Sequence, residues 1–138
     1  MAAQVELRSD DTDDVARLSY HPADEDFGTL AVEVRAGGLA YDESVLVYRG
    51  DGLQEFFEGL AADWRGWDGT RTWDSIEHGM TIEATHRGSR VELLLVIRRD
   101  PTHPETALEV RLPLFVEPGE SLSRVGKIGE QLFQPSDG

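Results

Sequence analysis

The chain has 138 residues and carries a net charge of −14, from 27 acidic and 13 basic side chains. A chain of this length is expected to form a single domain, residues 1–138, that buries about two-thirds of its extended surface and needs no metal or disulfide to hold a core. The absence of cysteine excludes disulfides and thiolate chemistry; the acidic balance argues against nucleic acid and anionic membranes as partners, and suits a basic protein, a cationic ligand or simple solubility.

The opening residues Met1-Ala2-Ala3-Gln4-Val5-Glu6-Leu7 lack the basic start and apolar run of a signal peptide. No stretch approaches the roughly 18 apolar residues of a membrane span, so a cytoplasmic location is expected. Of the 13 basic residues 12 are Arg, and Asn is absent, a composition that fits the coding bias of a GC-rich bacterial genome.

In chain order, Val5-Glu6-Leu7 alternates apolar and polar and predicts a short strand. Asp10-Asp11-Thr12-Asp13-Asp14 interrupts it, and Val15 to Tyr20 predicts a second. Leu30, Val32 and Val34 alternate with Ala31, Glu33 and Arg35, the pattern of a half-buried strand. Gly37-Gly38 then predicts a hairpin turn, with a return strand from Leu39 to Tyr48. Asp51 is placed as an N-cap, with Gln54 three residues on. Leu53, Phe56, Phe57, Leu60 and Trp64 fall on one helical stripe, which predicts a helix over about 52–64 that Gly66 terminates.

The second half reads as strands again, over Arg71 to Glu77, Met80 to Arg87 and Arg90 to Arg99. Leu93-Leu94-Leu95-Val96-Ile97 is apolar on both faces, as a central strand would be. Two prolines keep Asp100 to Pro104 out of the sheet, and Leu108 to Leu114 alternates, with Pro113 marking an edge or a bulge. Leu122, Val125, Ile128, Leu132 and Phe133 share one side of a second helix, about 119–133. Gly126 and Gly129 weaken that helix or let it press closely on the sheet. The expected fold is therefore α+β, in the order ββββαββββα. A single, mainly antiparallel sheet of seven or eight strands has two amphipathic helices packed on one face.

All three tryptophans lie in Trp64-Arg65-Gly66-Trp67-Asp68-Gly69-Thr70-Arg71-Thr72-Trp73. Trp64 extends the first helix's stripe and is expected in the core. Trp67 and Trp73 flank Asp68-Gly69 and leave three readings open: core, protein interface, or a stacking platform for a ligand. If this segment meets a partner, Trp67, Asp68, Arg71 and Trp73 are the contact residues.

Other motifs read as structure. Arg49-Gly50-Asp51 is a cell-adhesion tripeptide by coincidence. Asp10–Asp14 lacks the glycine and final glutamate of a calcium loop and reads as a solvated acidic loop. The histidines His21, His78, His86 and His103 show no metal-ligand spacing. Asp74, Ser75 and His78 are neighbours in sequence, but Asp74 and Ser75 point to opposite faces of a strand, and no nucleophile elbow surrounds Ser75. No catalytic residue, metal site or cofactor is expected.

The run Phe57-Glu58-Gly59-Leu60-Ala61-Ala62-Asp63-Trp64-Arg65-Gly66-Trp67-Asp68-Gly69, with Arg71 and Trp73, resembles a family of short uncharacterised proteins of high-GC bacteria, a domain of unknown function. The likeness extends to the Leu30–Val34 strand and to Glu117-Pro118-Gly119-Glu120. In element order and hydrophobic pattern alone, the chain also resembles immunity proteins that neutralise bacterial toxins. That likeness implies a non-enzymatic protein capping a basic partner through its acidic surface. The alternative is a small-ligand or enzymatic domain with a pocket between sheet and helices, using Arg71, Trp73, Glu83 and His86. Self-association through the Pro113 edge is a third reading.

Overall fold

Period-2 alternation with one apolar set per strand produces one buried and one wet face. The computed structural model, which describes residues 3–100, 102–103, 105 and 107–133, follows that rule. Strands β1 (Gln4–Arg8), β2 (Val15–Pro22), β3 (Phe27–Ala36) and β4 (Leu39–Tyr48) form one antiparallel sheet in sequential order. Helix α1 (Leu53–Ala62) follows. Strands β5 (Thr70–Asp74), β6 (Met80–His86), β7 (Val91–Arg99) and β8 (Leu108–Val116) form a second, and α2 (Glu120–Phe133) closes the chain. The order ββββαββββα is as the sequence predicts. The eight strands form two four-stranded sheets instead of the single sheet expected, because α1 intervenes between β4 and β5 where a fourth hairpin link would have continued the first.

The inner faces of both sheets and both helices share one core. Leu7, Leu18, Leu30, Val32 and Val34 meet Ile82, Leu93, Leu95 and Leu114, with Phe57, Leu60, Leu122 and Leu132 filling the helical side. β7 is internal to its sheet, and its apolar run is buried on both faces: Leu95 and Ile97 inside, Val96 at 2% exposure outside. Pro113 lies on the outer strand β8 opposite Leu94, where a missing N–H costs no ladder bond. The Ala36–Leu39 pair closes the two-residue Gly37-Gly38 turn, and Gly37 takes φ 57°.

Four local expectations are corrected. α1 ends at Ala62, since Asp63 leaves helical geometry at φ −100°, ψ 36°. The Leu60-to-Trp64 spacing is therefore not helical, and Trp64 is 48% exposed instead of lying in the core. Gly52, not Asp51, is the N-cap. The Asp51 carboxylate instead accepts the Tyr48 N–H (3.1 Å) and the Ile76 N–H (2.9 Å), tying the end of β4 to the turn after β5. Gly126 and Gly129 do permit close approach, but to α1, not to the sheet: a Cβ on Gly126 would overlap the Ala61 Cβ, and one on Gly129 would overlap the Gln54 Cα.

The acidic run after β1 is likewise more than a solvated loop. Ser9 Oγ–H donates to Asp11 Oδ1 (2.7 Å) while Ser9 Oγ accepts the Phe115 N–H (3.0 Å). The Asp10 N–H donates to the Phe115 carbonyl (2.7 Å), and Asp10 Oδ2 accepts the Glu117 N–H (2.7 Å). Asp11 pairs with Arg90 (3.3 Å), whose guanidinium sits 4.0 Å from the Phe115 ring centroid. These bonds clasp β1 of one sheet to β8 of the other. Pro101 and Pro104, read as loop residues, lie outside the described residues. No helix among the described residues is long and apolar enough to cross a membrane.

Candidate functional site

The tryptophan segment leaves α1, turns, and enters β5, so its side chains are set by the helix end and by the β5–β6 register. Arg71 lies opposite Ala84 and Trp73 opposite Ile82, which places both on the inner face of their sheet. Glu83 lies opposite Thr72 and so belongs to the other face.

The structure separates the predicted contact residues. Trp73 is 4% exposed, and its Nε1–H donates to the Asp51 carbonyl (2.9 Å). It is a core residue and presents no surface to a partner, which corrects its inclusion in a contact set. Trp67 is half-buried: its Nε1–H donates to the Ala84 carbonyl (3.1 Å), and its ring lies edge-on to His86 at 5.2 Å between centroids. Arg71 places its guanidinium 4.9 Å from the Trp67 ring centroid, and it pairs with Asp63 (2.8 Å). Asp68 is exposed and makes no ion pair among the described residues.

Trp64 is the member that sequence reasoning missed. Its indole is exposed, with the Arg65 guanidinium 5.1 Å from the ring centroid. His86 joins the two aromatics. Its Nε2–H donates to the Trp64 carbonyl (2.8 Å), and its Nδ1 accepts the Gly88 N–H (3.1 Å). Those two partners require the neutral Nε2–H tautomer. The result is a surface band in which Arg65, Trp64, His86, Trp67, Arg71 and Asp63 each touch the next. The signal for Trp64 was the punctuation by Asp63 and Gly66, which ends the helix before the stripe reaches it.

A partly exposed indole flanked by guanidinium and carboxylate groups can stack on an apolar or cationic side chain of a partner while its rim takes hydrogen bonds. The four residues Arg71, Trp73, Glu83 and His86 do not line one pocket: Trp73 is covered, and Glu83 points to the opposite face of the sheet. Asp74, Ser75 and His78 do not form a catalytic triad either. Ser75 is buried and its Oγ accepts the Met80 N–H (3.0 Å), while His78 Nδ1 lies 3.6 Å from Asp74. No group of three or more His, Asp or Glu side chains converges in metal-holding geometry among the described residues.

No curated protein and no solved structure matches the chain. Residues 7–136 match a family described as "Family of unknown function (DUF6228)", a span that runs from the end of β1 through α2 and includes the whole tryptophan band. The chain belongs to that family.

Proposed function

We propose that this is a non-enzymatic binding protein of a bacterial cytoplasm that caps a basic protein partner, as immunity proteins cap toxins, with the Trp64–Trp67–Asp68–Arg71 surface at the centre of the contact. The observation that carries the reading is Trp64: a large indole left 48% exposed in a protein of net charge −14. Exposing so much apolar surface is unfavourable for an isolated protein and becomes favourable when a partner covers it. The surrounding negative field would speed encounter with a cationic partner and penalise acidic competitors. Asp68, exposed and unpaired among the described residues, is the carboxylate placed to receive a partner's Arg or Lys.

The test is capture of partners from native-host lysate with the tagged protein at low and high salt, read by mass spectrometry, followed by affinity measurement with the purified partner. The reading requires one stoichiometric basic protein whose capture weakens with salt. It also requires Trp64→Ala and Asp68→Ala each to weaken that complex by tenfold or more, the usual size of a central contact. A partner whose affinity is indifferent to salt and to both substitutions would sink it.

A further inference from the structure

Sheet edges leave backbone hydrogen-bonding groups over, and the outer strands β8 and β4 treat theirs differently. β8 carries Pro113 and is clasped by Ser9 and Asp10. β4 runs for 10 residues with no proline and an unbroken register against β3. The Gly37-Gly38 turn makes Ala36–Leu39 a hydrogen-bonded pair, and such pairs alternate along the strand. Ala40, Asp42, Ser44, Leu46 and Tyr48 therefore turn their backbone groups away from β3. The chain's own carboxylates accept two of these N–H groups: Glu43 Oε1 takes that of Ser44 (3.1 Å) and Asp51 Oδ2 that of Tyr48 (3.1 Å). Those of Ala40, Asp42 and Leu46 have no partner among the described residues.

Beside this edge lies a groove of about 310 Å³, with Ser44 and Leu46 on one side and Ile76, Glu77 and Arg98 on the other. Its apolar side chains are open to solvent: Leu46 is 39% exposed and Ile76 37%. The outer face of the sheet adds a charge pattern that stops short. Glu6, Arg17, Glu33 and Asp42 stand in register across the four strands. Arg17 is bound to Glu6 (2.7 Å), so the row ends on two neighbouring carboxylates, offset by Arg35, which bonds Asp42 (2.8 Å). Glu33 has no ion pair among the described residues. Like charges directly opposite each other are unfavourable, and a cation on one further strand would restore the alternation.

We propose that β4 is a docking edge for an extended basic segment of another protein. The segment adds antiparallel, like every other pairing in this sheet, with an apolar side chain opposite Leu46 and, four residues later, a Lys or Arg opposite Asp42. Main-chain bonds at Ala40, Asp42 and Leu46 supply binding, and the alternate side chains supply specificity. A second copy of this chain fits poorly. β4 has no basic residue between Leu39 and Tyr48, so two such edges would bring their acids together without a cation. The edge shares no residue with the tryptophan band.

The experiment is titration of the full chain with the peptide acetyl-Val-Thr-Thr-Thr-Arg-Thr-Thr-amide, followed by amide NMR and hydrogen exchange. Its valine falls opposite Leu46 and its arginine opposite Asp42. Saturable shifts along β4 and slowed exchange of the Ala40, Asp42 and Leu46 amides are expected, while Tyr41 and Glu43, already in the ladder, change little. N-methylation of the peptide at its third and fifth residues, whose N–H groups face β4, should weaken binding by about tenfold or more. Asp42→Lys should weaken it by about fivefold and favour instead the same peptide with Glu in place of Arg, an exchange of preference that a damaged edge would not give. Leu46→Thr, at an exposed position, should keep the wild-type spectrum elsewhere and also weaken binding. Absence of saturation, equal binding of the N-methylated peptide, or an unchanged preference in Asp42→Lys would overturn the proposal. So would concentration-dependent protection of the same amides in the chain alone, which would make a second copy the occupant. Trp64→Ala should leave peptide binding unchanged, so failure of either reading is visible by itself.

Discussion

The indole of Trp73 and the backbone of Asp51, 22 residues apart in sequence, are joined by a 2.9 Å hydrogen bond from Nε1–H to the carbonyl oxygen. The bond fastens β5 to the turn that launches α1, while the Asp51 carboxylate holds Tyr48 and Ile76. Trp73→Phe keeps most of the ring but leaves that carbonyl without its donor, and should lower unfolding free energy by about 1–3 kcal/mol. Trp73→Ala adds a cavity and should cost about 3–5 kcal/mol. Denaturant titration followed by the fluorescence of the remaining tryptophans checks both.

Trp64 should behave in the opposite way. Its exposed side chain makes Trp64→Ala a change of within about 0.5 kcal/mol in stability. Equilibrium unfolding of the pair Trp64→Ala and Trp73→Ala therefore separates a surface indole from a core one. A large loss for Trp64→Ala would place that ring in the packing and remove the main support for a contact surface.

At the helix crossing, Gly126→Ala should destabilise despite the roughly 1 kcal/mol that alanine ordinarily gains over glycine within a helix. The new methyl meets the Ala61 Cβ, which has no rotamer by which to withdraw. Ala61→Gly in the same chain should restore part of the loss, a coupling that a double-mutant cycle reads directly. Gly129→Ala should find no such rescue at a single partner side chain, since its obstacle is the backbone at Gln54.

Ser9 is 7% exposed and bridges two sheets. Ser9→Ala leaves the Phe115 N–H without its acceptor and should cost about 1–3 kcal/mol. Hydrogen exchange at the Phe115 amide should speed up in the variant while exchange in the β2–β3 pairing changes little.

Tyr41 sets a dependence on alkaline pH. Burial first, then its hydrogen bond to Glu43 Oε2 (2.6 Å) and the charge of that carboxylate, push its pKa up from 10.0 to about 12. The fold thus favours the neutral phenol. The stabilisation is complete below the unfolded value, shrinks as pH climbs from 10.0, and is lost above about 12. Ultraviolet titration should find one of the three tyrosines ionising with a midpoint near 12, and Tyr41→Phe should abolish that step and flatten stability between those limits.

The elements and their order were legible in the sequence because each is written in local periodicity. The Leu30-Val32-Val34 alternation, the doubly apolar β7 run and the spacing of Leu122, Val125, Ile128 and Leu132 each depend only on which face a residue takes in its own strand or helix. Tertiary structure decided what local pattern does not encode. Ser9 meets Phe115 across 106 positions of sequence, and the acidic run becomes a clasp only because the two sheets bring those positions together. The glycines of α2 signalled close approach, but what they approach depends on the crossing of two helices. The tryptophan segment divides most sharply. The helix ends at Ala62, two residues short of its expected end, which leaves Trp64 facing outward, and the β5 register turns Trp73 inward. Composition had placed the three indoles within ten residues; only the geometry of a helix end and a strand pairing determined which of them faces water.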